Sequence, residues 1–242
     1  MGDIVNLNSN TFEQPLLSQH RENDDMDLQC QVLPASFMDE AAAVMADAFS
    51  DSPAYNYIFM HDQKYRRHAL EWLFKRNIPL IFRRYPSALR GILNDEGQVV
   101  ACFLWTPSPH QNLSTWDVVI RAGMWQIAFR FGFATLKRLM QVVDFFDNTH
   151  AKFFDAAEDF CMLERMAVRS DYRGQGLGTK ALQSVIPKTD RTMRLVTQEE
   201  QNVRFYQRLG YTIVGEEDSC HEEDDHYNYH SWFMTLGPAP SE

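Results

Sequence analysis

Long apolar runs are missing from this 242-residue chain. Its most hydrophobic stretch, Trp116 to Phe146, is broken by Arg121, Arg130, Lys137 and Arg138, so nothing approaches the roughly eighteen apolar residues of a membrane-crossing helix. Cysteine is scarce as well. Cys30, Cys102, Cys161 and Cys220 stand far apart with no C-x-x-C pair, which suits buried or incidental reduced thiols better than a disulfide framework or a zinc site. With only 11 Gly and 10 Pro beside 13% aromatic and 23% charged residues, a collagen-like, low-complexity or wholly disordered chain is excluded. The opening residues lack a basic start, an apolar core and a small-residue cleavage site, and Asn6 stands where myristoylation prefers Ser or Thr. A cytoplasmic protein is expected.

What is present suffices for a sizeable core, since 45% of residues are hydrophobic in a length that suits one domain. The net charge of −10 argues against a nucleic-acid partner, but the charge is unevenly placed. Residues 1–28 carry six acids against Arg21, and Glu216 to Asp225 carries seven acids and no base, which leaves a body of +2. That body can still receive a polyanionic ligand. Residues 1–28 are polar and without periodicity, so an unstructured acidic tail is expected before a domain spanning 29–237, with a short tail at 238–242.

Hydrophobic periodicity places a strand at Cys30 to Leu33, helices at Met38 to Phe49 and Gln63 to Phe82, and a hairpin of Ser87 to Leu93 with Val99 to Thr106 around Asn94-Asp95-Glu96-Gly97. Trp116 to Phe146 reads as mostly helical with breaks at Gly123 and Gly132. Its aromatic cluster, Trp116, Trp125, Phe129, Phe131 and Phe133, reads as core or as a pocket cover rather than a membrane-surface helix. The second half alternates: strand Phe160 to Val168, helix from Gly176, strand Met193 to Val196, helix Asn202 to Leu209, and closing strands Tyr211 to Gly215 and Tyr227 to Leu236. An α/β (α+β) layout with a mixed central sheet follows.

The segment richest in chemistry runs from Met166, Ala167 and Val168 through Arg169-Ser170-Asp171-Tyr172 into Arg173-Gly174-Gln175-Gly176-Leu177-Gly178-Thr179. It is an apolar strand end passing through a glycine-rich turn into a helix. Glycines let backbone approach a ligand closely, and the unpaired N–H groups of a helix start favour an anion such as a pyrophosphate. A plain structural turn has the same appearance, and the spacing is neither a P-loop nor a dinucleotide fingerprint. Further on, Asn202 and Tyr206 are four residues apart, so on a helix they share a face and reach one ligand. A phenol with a pKa of about 10 is a suitable acid for a departing thiolate.

Together these segments resemble the GNAT superfamily of acyl-CoA-dependent N-acyltransferases. The match is carried by Arg173-Gly174-Gln175-Gly176-Leu177-Gly178 and by Asn202, Phe205, Tyr206, Gly210 and Tyr211. Ala48-Phe49-Ser50-Asp51-Ser52-Pro53, Leu104-Trp105-Thr106 and Trp232-Phe233-Met234 are similar to the puromycin N-acetyltransferase-like branch, although Ser52 replaces an aromatic residue before the proline. The resemblance implies the GNAT fold, a mixed and largely antiparallel sheet flanked by helices, with a V-shaped splay between strands 4 and 5. It also implies acetyl-CoA as co-substrate, with the pantetheine arm along Met166, Ala167 and Val168, the pyrophosphate on Gly174 to Thr179, and Arg173 among the cofactor-binding residues. Asn202 would contact the arm, and Tyr206 would protonate the coenzyme A thiolate.

The reaction implied is N-acetylation of a small primary amine by direct attack in a ternary complex. The alternatives are a non-catalytic acyl-CoA-binding sensor and a protein N-terminal or lysine acetyltransferase. An alkylammonium of pKa about 10.4 costs roughly 4.6 kcal/mol to deprotonate at pH 7, so a base is expected. Glu164 is the candidate, because strand alternation places it on one face with Met166 and Val168; an ion pair with a basic neighbour is the competing reading. The acidic run after Gly215 would concentrate a cationic acceptor. His221, His226 and His230 with Cys220 do not converge as helical pairs do, so no metal is expected. No membrane partner is expected, and a monomer or homodimer fits equally.

Overall fold

The computed structural model describes residues 29–108, 123, 125–155, 158–221 and 225–237. The expected tails at 1–28 and 238–242 lie outside these residues, as does Trp116. In chain order the elements are β1 (Cys30–Val32), α1 (Met38–Ala48), α2 (Pro53–Ile58), α3 (Gln63–Arg84), β2 (Leu89–Leu93), β3 (Val99–Pro107), α4 (Gln126–Phe131), α5 (Phe133–Phe153), β4 (Phe160–Val168), α6 (Leu177–Gln183), β5 (Thr192–Thr197), α7 (Glu200–Arg208), β6 (Thr212–Asp218) and β7 (His230–Leu236). The strands form one sheet in the order β1-β2-β3-β4-β5-β7-β6. Only β4 and β5 pair in parallel; the other pairs are antiparallel.

Strand β3 is central, and Val99 to Thr106 is buried throughout. Cys102 and Leu104 face a core built with α1 and α3, whereas Ala101, Phe103 and Trp105 face a second core with α6 and α7. Coverage on both faces explains why its sequence is continuously apolar rather than alternating. Helix α1 is fixed to the sheet by its small buried face, Ala41, Ala42 and Met45, and by Glu40, whose Oε1 accepts the Val99 N–H at 2.8 Å. Asp62 caps α3 by accepting the Tyr65 N–H at 3.0 Å.

Three expectations need correction. Helix α2, begun by Pro53 in the first turn where a missing N–H costs nothing, was not anticipated. Strand β6 runs on to Asp218, so Glu216, Glu217 and Asp218 belong to the sheet and not to a free acidic loop. His230 lies between Asp218 (2.7 Å) and Glu216 (3.2 Å), and Lys152 bonds Glu217. The aromatic cluster divides. Phe131 packs edge-on to Trp72 at 5.2 Å and Phe59 at 5.6 Å, whereas Trp125, Phe129 and Phe133 project from the surface. Gly132, at φ 91°, turns the chain between α4 and α5 and causes the split.

Strands β4 and β5 are joined only through Phe160↔Thr192, Cys161↔Met193 and Met162↔Arg194. Arg194 is 2% exposed at this junction. It donates to the Asp155 carbonyl at 2.8 Å and to Glu158, and lies over the Phe160 ring at 4.2 Å. Hydrogen bonds from Thr192 and Arg194 hold the Glu158 carboxyl below its ordinary range. Replacing Arg194 by Met keeps the stem and removes these charge-assisted bonds. The expected loss is roughly 2 kcal/mol, read as a fall of about 4–8 °C in Tm.

A second expectation concerns the β6–β7 ribbon. Burial alone would lower the His230 pKa, but its bonds to Asp218 and Glu216 outweigh that and raise it above 6.5. The imidazolium therefore stabilises the fold fully below about pH 6.5, and this contribution is lost as the pH rises through the higher folded value. The Tm difference between the native protein and His230→Asn should shrink from pH 6 to pH 8.

Candidate functional site

Beyond Met162 and Arg194 the two parallel strands separate: β4 continues to Val168 and β5 to Thr197 without further pairing. From there one edge of β4 has no strand partner among the described residues, and backbone groups on such an edge can bond a ligand. On its other edge β4 stays paired to β3, with an irregularity. Leu104 opposes Glu164 and Cys102 opposes Ala167, so the single residue Phe103 spans both Arg165 and Met166. Arg165 is the extra residue of a β-bulge, at φ 51°.

The bulge overturns the alternation expected for Glu164. Glu164 shares the face of its partner Leu104, on the α1/α3 side, whereas Met166 and Val168 pack with the α6/α7 core. Glu164 Oε1 accepts the Thr106 hydroxyl at 3.3 Å, and Oε2 is 3.4 Å from Arg165 Nη1. An ion pair with a basic neighbour, the competing reading, is thus what forms. The Arg165 guanidinium lies 5.3 Å from the Phe74 ring. Burial would lower its pKa, but Tyr55 and Glu164 outweigh burial and raise it, so it stays charged. Arg165 and Tyr55 were not found by sequence reasoning. A bulge at an arginine carries no glycine to announce it, and Tyr55 sits on the helix that was missed.

At the end of β4 the chain turns through Ser170 to Tyr172 into α6. Gly174 and Gly176 both hold φ 76°, and a Cβ built on either would meet no atom within 4 Å. The space over both glycines is open, and the positive φ keeps side chains out of it. Gly176 caps α6, whose first N–H groups have no partner within the helix. The turn is braced from below. Arg169 forks onto Asp171 with two bonds of 3.1 Å, Arg173 Nε donates to the Val168 carbonyl at 3.1 Å, and Gln175 donates to the Asp171 carbonyl at 3.2 Å.

Helix α7 closes on the same place. Phe205 Cζ lies 3.3 Å and Met166 Cε 3.6 Å from where a Gly178 Cβ would stand, so β4, α6 and α7 meet at Gly178, and a larger residue there would push them apart. Phe205, one residue of the Asn202-to-Tyr211 motif, is by its packing the contact between α7 and the glycine turn. Tyr206 is buried in the α6/α7 core beside Phe205 (5.0 Å) and Tyr211 (5.6 Å), and burial pushes its phenol up from the ordinary range. Asn202 is half-buried one turn earlier, its Nδ2 3.5 Å from Glu199.

The expected site residues on β4, the turn and α7 thus converge, and Glu164 faces the opposite side of the sheet. The histidines part: His221 stacks on Tyr57 at 3.5 Å, His226 lies tilted against Tyr227 at 4.1 Å, and His230 joins Glu216 and Asp218. A hollow of about 330 Å³ lined by Arg90, Trp105, Cys161 and Lys188 lies at the other end of β4 and contributes nothing to this site.

Residues 132–213, which contain β4, the turn, α6, β5 and α7, match the family model of the acetyltransferase (GNAT) domain. An uncharacterised N-acetyltransferase of Schizosaccharomyces pombe is 22% identical over 179 residues, covering 71% of this chain and 69% of the relative. Among solved structures, one from Corynebacterium glutamicum described as histone acetyltransferase HPA2 and related acetyltransferase aligns with a TM-score of 0.58 at 19% identity, covering 88% of this chain and 98% of its own. The polyamine N-acetyltransferase of Drosophila melanogaster aligns at 0.59 with 12% identity, covering 87% and 100%. The fold is that of GNAT enzymes, and the class of the protein is an acyltransferase. Within the chain, residues 132–213 are similar to a GNAT acetyltransferase domain, and the chain as a whole is similar to an N-acetyltransferase.

The open glycine turn yields a direct test. A ligand held at one hundred times its Kd adds about 2.7 kcal/mol, a Tm rise of roughly 5–11 °C for this size. Acetyl-CoA should give that rise, and equimolar ATP should not. Gly176→Val, which fills the open space and strains the αL cap, should abolish most of the rise with acetyl-CoA.

Proposed function

We propose that the protein transfers the acetyl group of acetyl-CoA to the primary amine of a small molecule, by direct attack while both are bound. The observation that carries this reading is the unpaired β4 edge beyond Met162, ending in the positive-φ turn of Gly174 and Gly176. Acetyl-CoA supplies an activated thioester with a thiol leaving group. The residues present suit it. The backbone of Met166 to Val168 offers hydrogen-bonding groups to the extended arm and to the carbonyl being attacked. The turn from Arg173 to Thr179 offers N–H groups and a helix start to the pyrophosphate, and Asn202 borders the arm.

Tyr206 works as a proton donor to the leaving sulfur. Its raised pKa keeps the phenol protonated throughout the neutral range, so it serves as acid and not as base. Glu164 receives the amine's proton from the α1/α3 side of β4, where Tyr55 and Arg165 form the neighbouring wall. Orientation of amine and thioester supplies most of the rate, and no covalent enzyme intermediate is needed.

A cationic small amine is the acceptor to test first. The Drosophila relative, described as forming N-acetylagmatine, handles such an amine on the same fold. Acceptor-dependent release of coenzyme A thiol separates this reading from an acyl-CoA-binding sensor, which would bind without turnover. Tyr206→Phe should lower kcat, by about 10²-fold for a lost acid, with little change in KM for acetyl-CoA. Native turnover in that variant would remove Tyr206 from the mechanism.

A further inference from the structure

The corner where α4 meets α5 departs furthest from an ordinary surface. Trp125, Phe129 and Phe133 are 50%, 77% and 72% exposed. They form a ladder of edge-on rings, 6.0 Å from Trp125 to Phe129 and 6.1 Å from Phe129 to Phe133. Met140 extends the apolar surface along α5 at 46% exposure. Phe131 holds the corner to the core from behind, so the outer rings project from a fixed base. Exposed apolar residues normally occur singly; a contiguous group of this size marks a contact surface.

Charge indicates what the surface meets. In a chain of net −10, residues 125–143 contain Arg130, Lys137 and Arg138 and no acid. Arg76 of α3 and Arg130 of α4 lie over the same Trp72 ring, 3.8 and 5.9 Å from its centre. Arg76 donates to the Trp72 carbonyl at 3.4 Å, and Arg130 reaches His68 at 3.2 Å. Neither guanidinium has an ion-pair partner among the described residues. The acid nearest in sequence on α3, Glu71, is paired with Lys75 at 2.7 Å, and the acids of α5 begin only at Asp144. Burial and the charge of Arg130 lower the Arg76 pKa. Projecting rings beside unneutralised guanidiniums complement a surface that is apolar inside and phosphate-bearing outside.

We propose that this corner docks the protein onto an anionic lipid bilayer, with Trp125, Phe129 and Phe133 entering the boundary between headgroups and acyl chains and Arg76 and Arg130 binding lipid phosphates. The inference is independent of acetyl transfer. The test is co-sedimentation of the full chain with phosphatidylcholine vesicles, with and without phosphatidylserine. Binding to the anionic vesicles should be roughly tenfold or more the stronger and should fall with salt. Phe129→Ser with Phe133→Ser should weaken it about tenfold or more, and Arg76→Gln with Arg130→Gln should erase the preference for phosphatidylserine. Quenching of the native protein's tryptophan fluorescence by brominated acyl chains provides a readout that needs no variant. Absence of native binding to anionic vesicles overturns the proposal. So does a concentration-dependent dimer that the double serine variant dissolves without any vesicle binding, which would assign the corner to a second copy.

Discussion

The parting of β4 from β5 is the constraint on which the rest of the molecule depends. Three residue pairs join these strands, and the last, Met162↔Arg194, is held by a buried guanidinium bonded to Glu158 and the Asp155 carbonyl and stacked on Phe160. Because the strands are clamped at one end, the twist native to any sheet accumulates as separation at the other. A fully paired sheet would leave β4 no free edge. The bulge at Arg165 then sets which side chains meet the opening. It returns Met166 and Val168 to the α6/α7 side, where Met166, Gly178 and Phe205 interlock. The clamp, the bulge and the absent Cβ of Gly178 therefore form one device: the first opens the edge, the second turns its side chains, and the third lets the glycine turn sit against it.

Cations do the structural work in this acidic protein at each stage of that device. Arg194 closes the junction. Arg165 occupies the bulge between Glu164 and Phe74. Arg169 and Arg173 tie the turn to Asp171 and to the Val168 carbonyl. Planar guanidiniums suit these places because they bond carboxylates and carbonyls in a fixed fork while stacking on aromatic faces. The acids that give the chain its net charge lie elsewhere, and three of those on β6 are already engaged by His230 and Lys152. Steering of a cationic ligand by that ribbon is correspondingly weaker than its sequence suggests.

Strand β4 was readable to the residue, Phe160 to Val168, because apolar residues between turn signals leave little freedom in where a buried strand ends. The glycine turn and the Asn202/Tyr206 face were legible for the same reason: each follows from local backbone chemistry. What escaped sequence reading is nonlocal. Whether a strand pairs beyond its third residue depends on its neighbour, and a bulge at Arg165 is decided by the register against β3. The alternation that put Glu164 beside Met166 holds only in an unbroken strand. The aromatics around α4 read as core or pocket cover, but the positive φ of Gly132 separates the faces of α4 and α5, leaving Phe131 packed on Trp72 and Phe133 exposed.

The position of Arg165 bears on the hardest step of the proposed reaction. An ammonium that approaches Glu164 arrives beside a guanidinium already 3.4 Å from that carboxylate. The like charge disfavours the protonated amine, and each unit by which the amine's pKa falls removes about 1.36 kcal/mol of deprotonation cost. Glu164 alone would do the reverse, stabilising the ammonium that must lose its proton. Paired with Arg165 it attracts that cation less strongly. The same pair explains why a bulge, rather than a regular strand, is useful at this point. Only the extra residue sets the Glu164 carboxylate and the Arg165 guanidinium side by side on the face opposite Met166.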